Sequence, residues 1–161
     1  MSGTEEDRHD EPTLEDALAL ALEAHRGHVY PAPDPEPYIL HPIRVMLGVS
    51  LPEARIVALL HDVVEDTDLT LKTLKDHGFG LPILEAVDSL TRRPGEAYED
   101  YIRRLASNPI AREVKLSDLR DNLANNRSLP RTDDNLARIA RYEHAQRVLT
   151  RRMRNPRTAE R

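Results

Sequence analysis

Residues 56–66, Ile56-Val57-Ala58-Leu59-Leu60-His61-Asp62-Val63-Val64-Glu65-Asp66, place four groups able to bind a metal ion or a proton directly after an apolar run. Read as one helix, His61 stands one turn before Glu65, and Asp62 one turn before Asp66, so each pair falls on one stripe. Polar groups beside Leu59, Leu60, Val63 and Val64 are costly to bury unless a cation or a partner satisfies them. An imidazole and three carboxylates in this order suit metal-assisted hydrolysis. The same residues also describe a solvated acidic helix end capped at Asp66-Thr67. The rest of the chain has to decide.

Two further segments carry compatible groups: His41 in Tyr38-Ile39-Leu40-His41-Pro42, and Asp118 in Val114-Lys115-Leu116-Ser117-Asp118. Two imidazoles and two carboxylates form a mixed nitrogen and oxygen set. Such a set suits octahedral Mn²⁺, Fe²⁺ or Mg²⁺ better than a closed structural zinc. Four protein ligands out of about six leave room for a water and a substrate oxygen, as hydrolysis requires. Lys115 and Asn122 fall on the helix face of Asp118, and a cation and an amide there suit a phosphorylated, hydrogen-bonding substrate. Arg92 and Arg93 are further phosphate candidates, since arginine forks match phosphate oxygens. Each residue has a plainer reading: His41 as a turn contact before Pro42, Asp118 as a salt bridge to Lys115 or Arg120, Lys115 as a solvated lysine, Arg92-Arg93 as an exposed turn. His25 and His28, on either side of Gly27, read as core or loop histidines. It is the conjunction that the plain readings leave unexplained.

The elements that must position these groups are helical. The 161 residues suit one domain, and 39% hydrophobic with 32% charged residues reads as globular. One Phe, five Tyr and no Trp leave an aliphatic core. No cysteine is present, which excludes disulfides, cysteine zinc sites and a thiol nucleophile. No apolar run reaches the roughly 18 residues of a membrane span, and no signal peptide is evident, so a cytoplasmic protein without a membrane partner is expected. The net charge of −5 argues against nucleic acid, and the basic run Arg147, Arg151, Arg152, Arg154, Arg157 and Arg161 reads as a solvated helix end and tail.

In chain order, residues 1–11 read as a disordered tail, 12–153 as the domain and 154–161 as a basic tail. Thr13 with Asp16 predicts a capped helix continued by Leu14, Leu18, Ala21, Leu22 and His25. Pro31, Pro33, Pro35 and Pro37 predict a stiff loop. Further helices are expected from near Pro42, from Pro52 through Asp66, over 69–78, 82–90, 98–108, 110–125 and 135–153. The fold expected is all-α, seven or eight helices around one core.

The segments Glu36-Pro37-Tyr38-Ile39-Leu40-His41-Pro42, Ala58-Leu59-Leu60-His61-Asp62-Val63-Val64-Glu65-Asp66-Thr67 and Val114-Lys115-Leu116-Ser117-Asp118 with Asn122 resemble the HD-superfamily hydrolase domain of RelA/SpoT homologues. These are alarmone (ppGpp) 3′-pyrophosphohydrolases, with short single-domain members of the metazoan SpoT-homologue type. The match runs in order over about residues 14–149. The resemblance implies a single HD-domain helical bundle in which His41, His61, Asp62 and Asp118 hold one Mn²⁺, another divalent metal being the alternative. It implies that Glu65 and Asp66 position and deprotonate the attacking water, and that Asn122 holds the sugar of a small nucleotide substrate.

Two departures fall at substrate recognition. The family's loop usually carries an arginine that stacks on guanine where this chain has Tyr30, which either stacks on a base or packs the loop. After Asp118 the family commonly has Arg-Leu-His-Asn; here Leu119-Arg120-Asp121-Asn122 moves the basic residue one place, leaving Arg120 as a displaced substrate contact. Alarmone hydrolysis is therefore the first expectation. The alternatives are the same chemistry on a 5′-deoxynucleotide or NADPH, and a nucleotide sensor without turnover.

Overall fold

Local capping chemistry sets the helix starts in the computed structural model, which describes residues 11–154. Thr13 opens α1 (Leu14–Ala24): its hydroxyl accepts the Asp16 N–H at 3.2 Å, and the Asp16 carboxylate accepts the Thr13 N–H at 2.8 Å. Gly27, at φ +80°, turns the chain into a short antiparallel ladder of β1 (Val29–Tyr30) with β2 (Glu36–Pro37). The proline loop thus closes on itself at its ends. Then come α2 (Leu40–Leu47), α3 (Pro52–Leu60), α4 (Val63–Asp66), α5 (Leu71–Asp76), α6 (Leu81–Leu90), α7 (Tyr98–Leu105), α8 (Pro109–Ser128) and α9 (Asp133–Arg154). Asn108 caps α8 by accepting the Ala111 N–H at 2.9 Å, with Pro109 at the first helical position.

The all-α expectation holds, with nine helices among the described residues, one of them a single turn. The extra helix comes from residues 56–66. Instead of one helix, α3 ends at Leu60, and α4 begins after His61-Asp62. The Ala58 carbonyl, which a continuing helix would use for backbone pairing, lies 2.6 Å from His61 Nδ1. The expected tails at 1–11 and 154–161 lie, apart from Glu11 and Arg154, outside the described residues. Among those residues no helix is long and apolar enough to cross a membrane.

Two apolar clusters meet on α8. The larger gathers Val45, Val57, Leu59, Leu60, Val63, Leu74, Val87 and Val114 from α2 to α6 and α8; the smaller gathers Tyr101, Ile102, Leu105, Leu119, Ala145 and Leu149 from α7, α8 and α9. Gly48 lets α2 and α8 close: a Cβ there would sit 2.2 Å from Ser117 Oγ, whose hydroxyl donates to the Val45 carbonyl at 2.8 Å. That approach sets the helix of His41 against the helix of Asp118.

Candidate active site

His41 on α2, His61 at the end of α3 and Asp118 on α8 are each no more than 3% exposed, and Asp62 follows His61 at the edge of the same space. Ring orientation is fixed from behind. A carbonyl only accepts, so the 2.6 Å contact with Ala58 puts a proton on His61 Nδ1. His41 Nδ1 is held likewise by Asp121 Oδ2 at 2.7 Å. Both Nε2 atoms therefore face forward, to the same two carboxylates. His41 Nε2 is 3.1 Å from Asp118 Oδ1 and 3.7 Å from Asp62 Oδ2; His61 Nε2 is 2.9 Å from Asp62 Oδ2 and 3.6 Å from Asp118 Oδ1.

Ligand atoms of His41, His61 and Asp62 lie within 4.8 Å of one another, and Asp118 touches both rings. His61 Nε2 is buried without a hydrogen bond of good geometry. Two nitrogen and two carboxylate donors converging on one point, backed by a carbonyl and a carboxylate, fit a divalent cation with open coordination positions. Burial alone would depress both imidazoles. Hydrogen bonds with Asp118 and Asp121 outweigh it at His41, and the Asp62 charge with the close Asp118 and Asp62 carboxylate oxygens outweighs it at His61, so both titrate above their ordinary value. Burial pushes the two carboxyls up, but His61 overrides it at Asp62, and Lys115 with both histidines at Asp118, leaving both below the usual range.

The surrounding residues are mostly committed to this cluster. Lys115 Nζ lies 2.7 Å from Asp118 Oδ2 and 5.3 Å from the Tyr101 ring centre. Asn122 donates to Asp118 Oδ1 at 2.6 Å and accepts the Tyr30 hydroxyl at 2.8 Å. Tyr30 is buried, with its ring stacked on His41 at 4.8 Å and the Arg44 guanidinium 5.3 Å from its centre. The packing that the sequence offered as one reading of Tyr30 is present in the fold.

Glu65 and Asp66 stand at the mouth. Asp66 keeps its helical relation to Asp62 through a 2.9 Å N–H bond to the Asp62 carbonyl, whereas the broken helix leaves Glu65 exposed while His61 is buried. The Tyr38 hydroxyl donates to Asp62 Oδ2 at 2.6 Å and lies 3.4 Å from Asp66 Oδ2. Lost hydration on that side, then the charges of Asp62 and Glu65, raise the Asp66 carboxyl to about 6. Glu65 accepts the Arg92 backbone N–H at 2.7 Å beside an open cleft of about 560 Å³.

Arg92 and Arg93, expected at phosphate, line that same cleft beside Glu65. The Arg92 guanidinium donates to the Glu96 carbonyl, and Arg93 pairs with Asp88. Arg120 is exposed on α8 and lines a cleft with α9, so it does not join the cluster. Two residues turn a helix by about 200°, which sets Arg120 on the face away from Asp118.

No family model matches the chain. A mouse protein named guanosine-3′,5′-bis(diphosphate) 3′-pyrophosphohydrolase MESH1 is 35% identical over 129 residues, covering 73% of this chain and 72% of that protein. The chain belongs to the MESH1 family. An Aquifex aeolicus protein named guanosine-3′,5′-bis(diphosphate) 3′-pyrophosphohydrolase is 36% identical over 100 residues, 55% of this chain, but the match spans only 14% of that longer relative. Among solved structures, one described as a metazoan ortholog of SpoT that hydrolyzes ppGpp superposes with a TM-score of 0.73, covering 88% of each chain at 23% identity. That likeness carries the fold.

Within this MESH1-family chain, the structure adds three residues that the sequence reading left without a task. Asp121 holds His41, Arg44 pairs with both Asp121 and Glu36, and Tyr38 holds Asp62. A signal for two of them was present. Asp121 lies three residues after Asp118, and Arg44 three after His41, each on its partner's helix face.

Proposed function

We propose that the chain is a metal-dependent phosphohydrolase that removes the 3′-diphosphate of guanosine-3′,5′-bis(diphosphate)-type nucleotides, releasing pyrophosphate. The observation that carries this reading is the convergence of His41 Nε2, His61 Nε2, Asp62 and Asp118 on one point. These four residues would hold one divalent cation, Mn²⁺ in this reading. Its chemistry when bound is to acidify water and neutralise phosphate charge.

The remaining steps belong to the chain's own groups. Asp66, raised to about 6, is ionised at neutral pH yet basic enough to accept a proton from water, with Glu65 beside it to orient that water. The water oxygen bonds to the phosphorus attached at the ribose 3′-oxygen. That phosphorus–oxygen bond breaks, and the 3′-oxygen leaves with the proton that Asp66 took from water, returned directly or through solvent. Asp121 and the Ala58 carbonyl keep both imidazoles aimed forward, while Tyr38 fixes the Asp62 carboxylate between them.

The test is a product assay with the purified full chain, Mn²⁺ and a panel of ppGpp, 5′-deoxynucleotides and NADPH. GDP with pyrophosphate from ppGpp is expected, and no product from chain treated with chelator. Orthophosphate from NADPH, with ppGpp untouched, would keep the metal cluster and replace the substrate. Binding of ppGpp without turnover under every added metal would replace the enzyme with a sensor.

A further inference from the structure

We propose that the cleft between α8 and α9 is a second anion site, which binds the di- or triphosphate group of a small ligand independently of the metal cluster. The cleft encloses about 390 Å³, within the range of small-ligand pockets. Arg120 of α8 and Arg147, Arg151 and Arg154 of α9 line it, with Gln146 and Thr150 between them, and no Asp or Glu among the described lining residues.

Clustering sets these arginines apart: Arg55, Arg131 and Arg138 also lack a side-chain partner among the described residues, but they do not line this cleft. In a chain of net charge −5, Arg44, Arg93, Arg104 and Arg127 are each held by a carboxylate. None of the four cleft arginines makes a side-chain hydrogen bond or ion pair with another described residue. Glu143, one turn before Arg147, is already held by Arg127 at 2.9 Å. The ordinary account of basic residues at a helix C-terminus, compensation of its partial negative charge, covers Arg151 and Arg154 in the last turn. It does not cover Arg147, nor Arg120 in the interior of another helix. Four guanidiniums turned to one cleft repel one another until an anion joins them. Their planar forks match the paired oxygens of a phosphate chain. A cleft bounded by two antiparallel helices suits a compact polyphosphate better than an extended nucleic-acid backbone.

The site stands apart from the candidate active site. Asp118 is buried toward α2 and α3, whereas Arg120 is exposed on the far face of α8. Either can therefore be removed without the other.

Calorimetric titration of the full chain with inorganic triphosphate in EDTA, at about 0.1 M salt, tests this directly. One bound triphosphate per chain is expected. Affinity should fall roughly tenfold or more in R147A/R151A, and Asp62→Asn should leave it unchanged. Arg147 and Arg151 are exposed, Asp62→Asn keeps the side-chain shape, and circular dichroism verifies that each variant folds. No binding by the wild type, binding indifferent to R147A/R151A, or binding lost in Asp62→Asn would overturn the proposal. A nucleoside triphosphate binding as tightly as the inorganic probe would name the phosphate chain as the determinant. A tighter one would name a nucleotide; both support the site. A single-stranded oligonucleotide that outcompetes triphosphate at the same arginines would overturn the small-ligand assignment.

Discussion

The two faces of α8 handle charge in opposite ways. On the inner face Asp118 meets two imidazoles, an ammonium and an amide, and Asp121 meets an imidazole and a guanidinium. On the outer face Arg120 looks across a cleft at three more arginines and meets no carboxylate there. One helix thus carries a neutralised, buried network and an unneutralised, accessible patch. Buried charge persists only when paired, whereas exposed charge is left for water or a ligand to answer. Removing a fully buried charge from the first should disturb fold and chemistry together. Removing one from the second should disturb only binding.

The largest effects are expected in the network that the inner face joins, and two of its carboxylates, Asp118 of α8 and Asp62 after α3, separate chemistry from stability. Asp118→Ala should abolish turnover and also destabilise the fold by about 3–5 kcal/mol, because it empties a buried site and strands Lys115, only 14% exposed, beside two imidazoles. Asp62→Ala should abolish turnover with a smaller loss of stability, since Asp62 is less deeply buried and leaves no lysine unpaired. Product assays with denaturant melts of both variants check the pair. Turnover surviving in either would remove that residue from the metal set. Equal melting losses would show that Lys115 is not the source of the difference.

Next come the residues behind the ligands. Asp121→Asn keeps the shape but weakens the hold on His41, and about 10- to 100-fold weaker metal binding is expected. Metal titration read by turnover measures it, with the melting transition near that of the wild type. Tyr38→Phe removes a 2.6 Å hydrogen bond to Asp62 and should act in the same direction, by about tenfold or less.

How far the sequence revealed this arrangement follows from the distance over which each signal acts. The first helix start was readable because caps are local: Thr13 and Asp16 lie within three residues of the groups they serve, whereas Asn108-Pro109 read as the end of one helix and proves to cap the next. His41, His61, Asp62 and Asp118 were nameable because their types are unusual beside an apolar run, and the fold brings those four side chains together. The break at His61-Asp62 was not readable. Periodicity alone continues the helix to Asp66, and only the side-chain contact with the Ala58 carbonyl shows a competing partner. Tyr30, Arg92 and Arg93 had two readings each, substrate contact or loop residue, and sequence alone does not show that their side chains meet His41, the Glu96 carbonyl and Asp88. The far face of α8 escaped for a different reason. Arg147, Arg151 and Arg154 read as a solvated end until α8 supplies Arg120 from 27 residues away from Arg147 in the chain.

The smallest effect sharpens the boundary between the two faces, because Asp66 sits where the buried network meets solvent. Its carboxyl is raised to about 6, first by lost hydration and then by the charges of Asp62 and Glu65. As the base it must be ionised, so kcat/KM should rise with pH through about 6 and level off above it. A cation held by Asp62 would move this limb to lower pH, never higher. Asp66→Asn should remove the limb together with most turnover, and Glu65→Gln should shift it downward by removing one negative neighbour. The linkage runs the other way for stability. A folded pKa above the ordinary 3.8 means that the native state binds the extra proton, so this group's contribution is fully present below about 4 and is lost as pH rises through about 6. In chelator, Asp66→Asn should therefore melt slightly above the wild type at pH 7 and no higher than it at pH 4. An equal gain at both pH values would mean that the charge of Asp66 is answered in the fold, as on the inner face, and is not held in reserve for a proton.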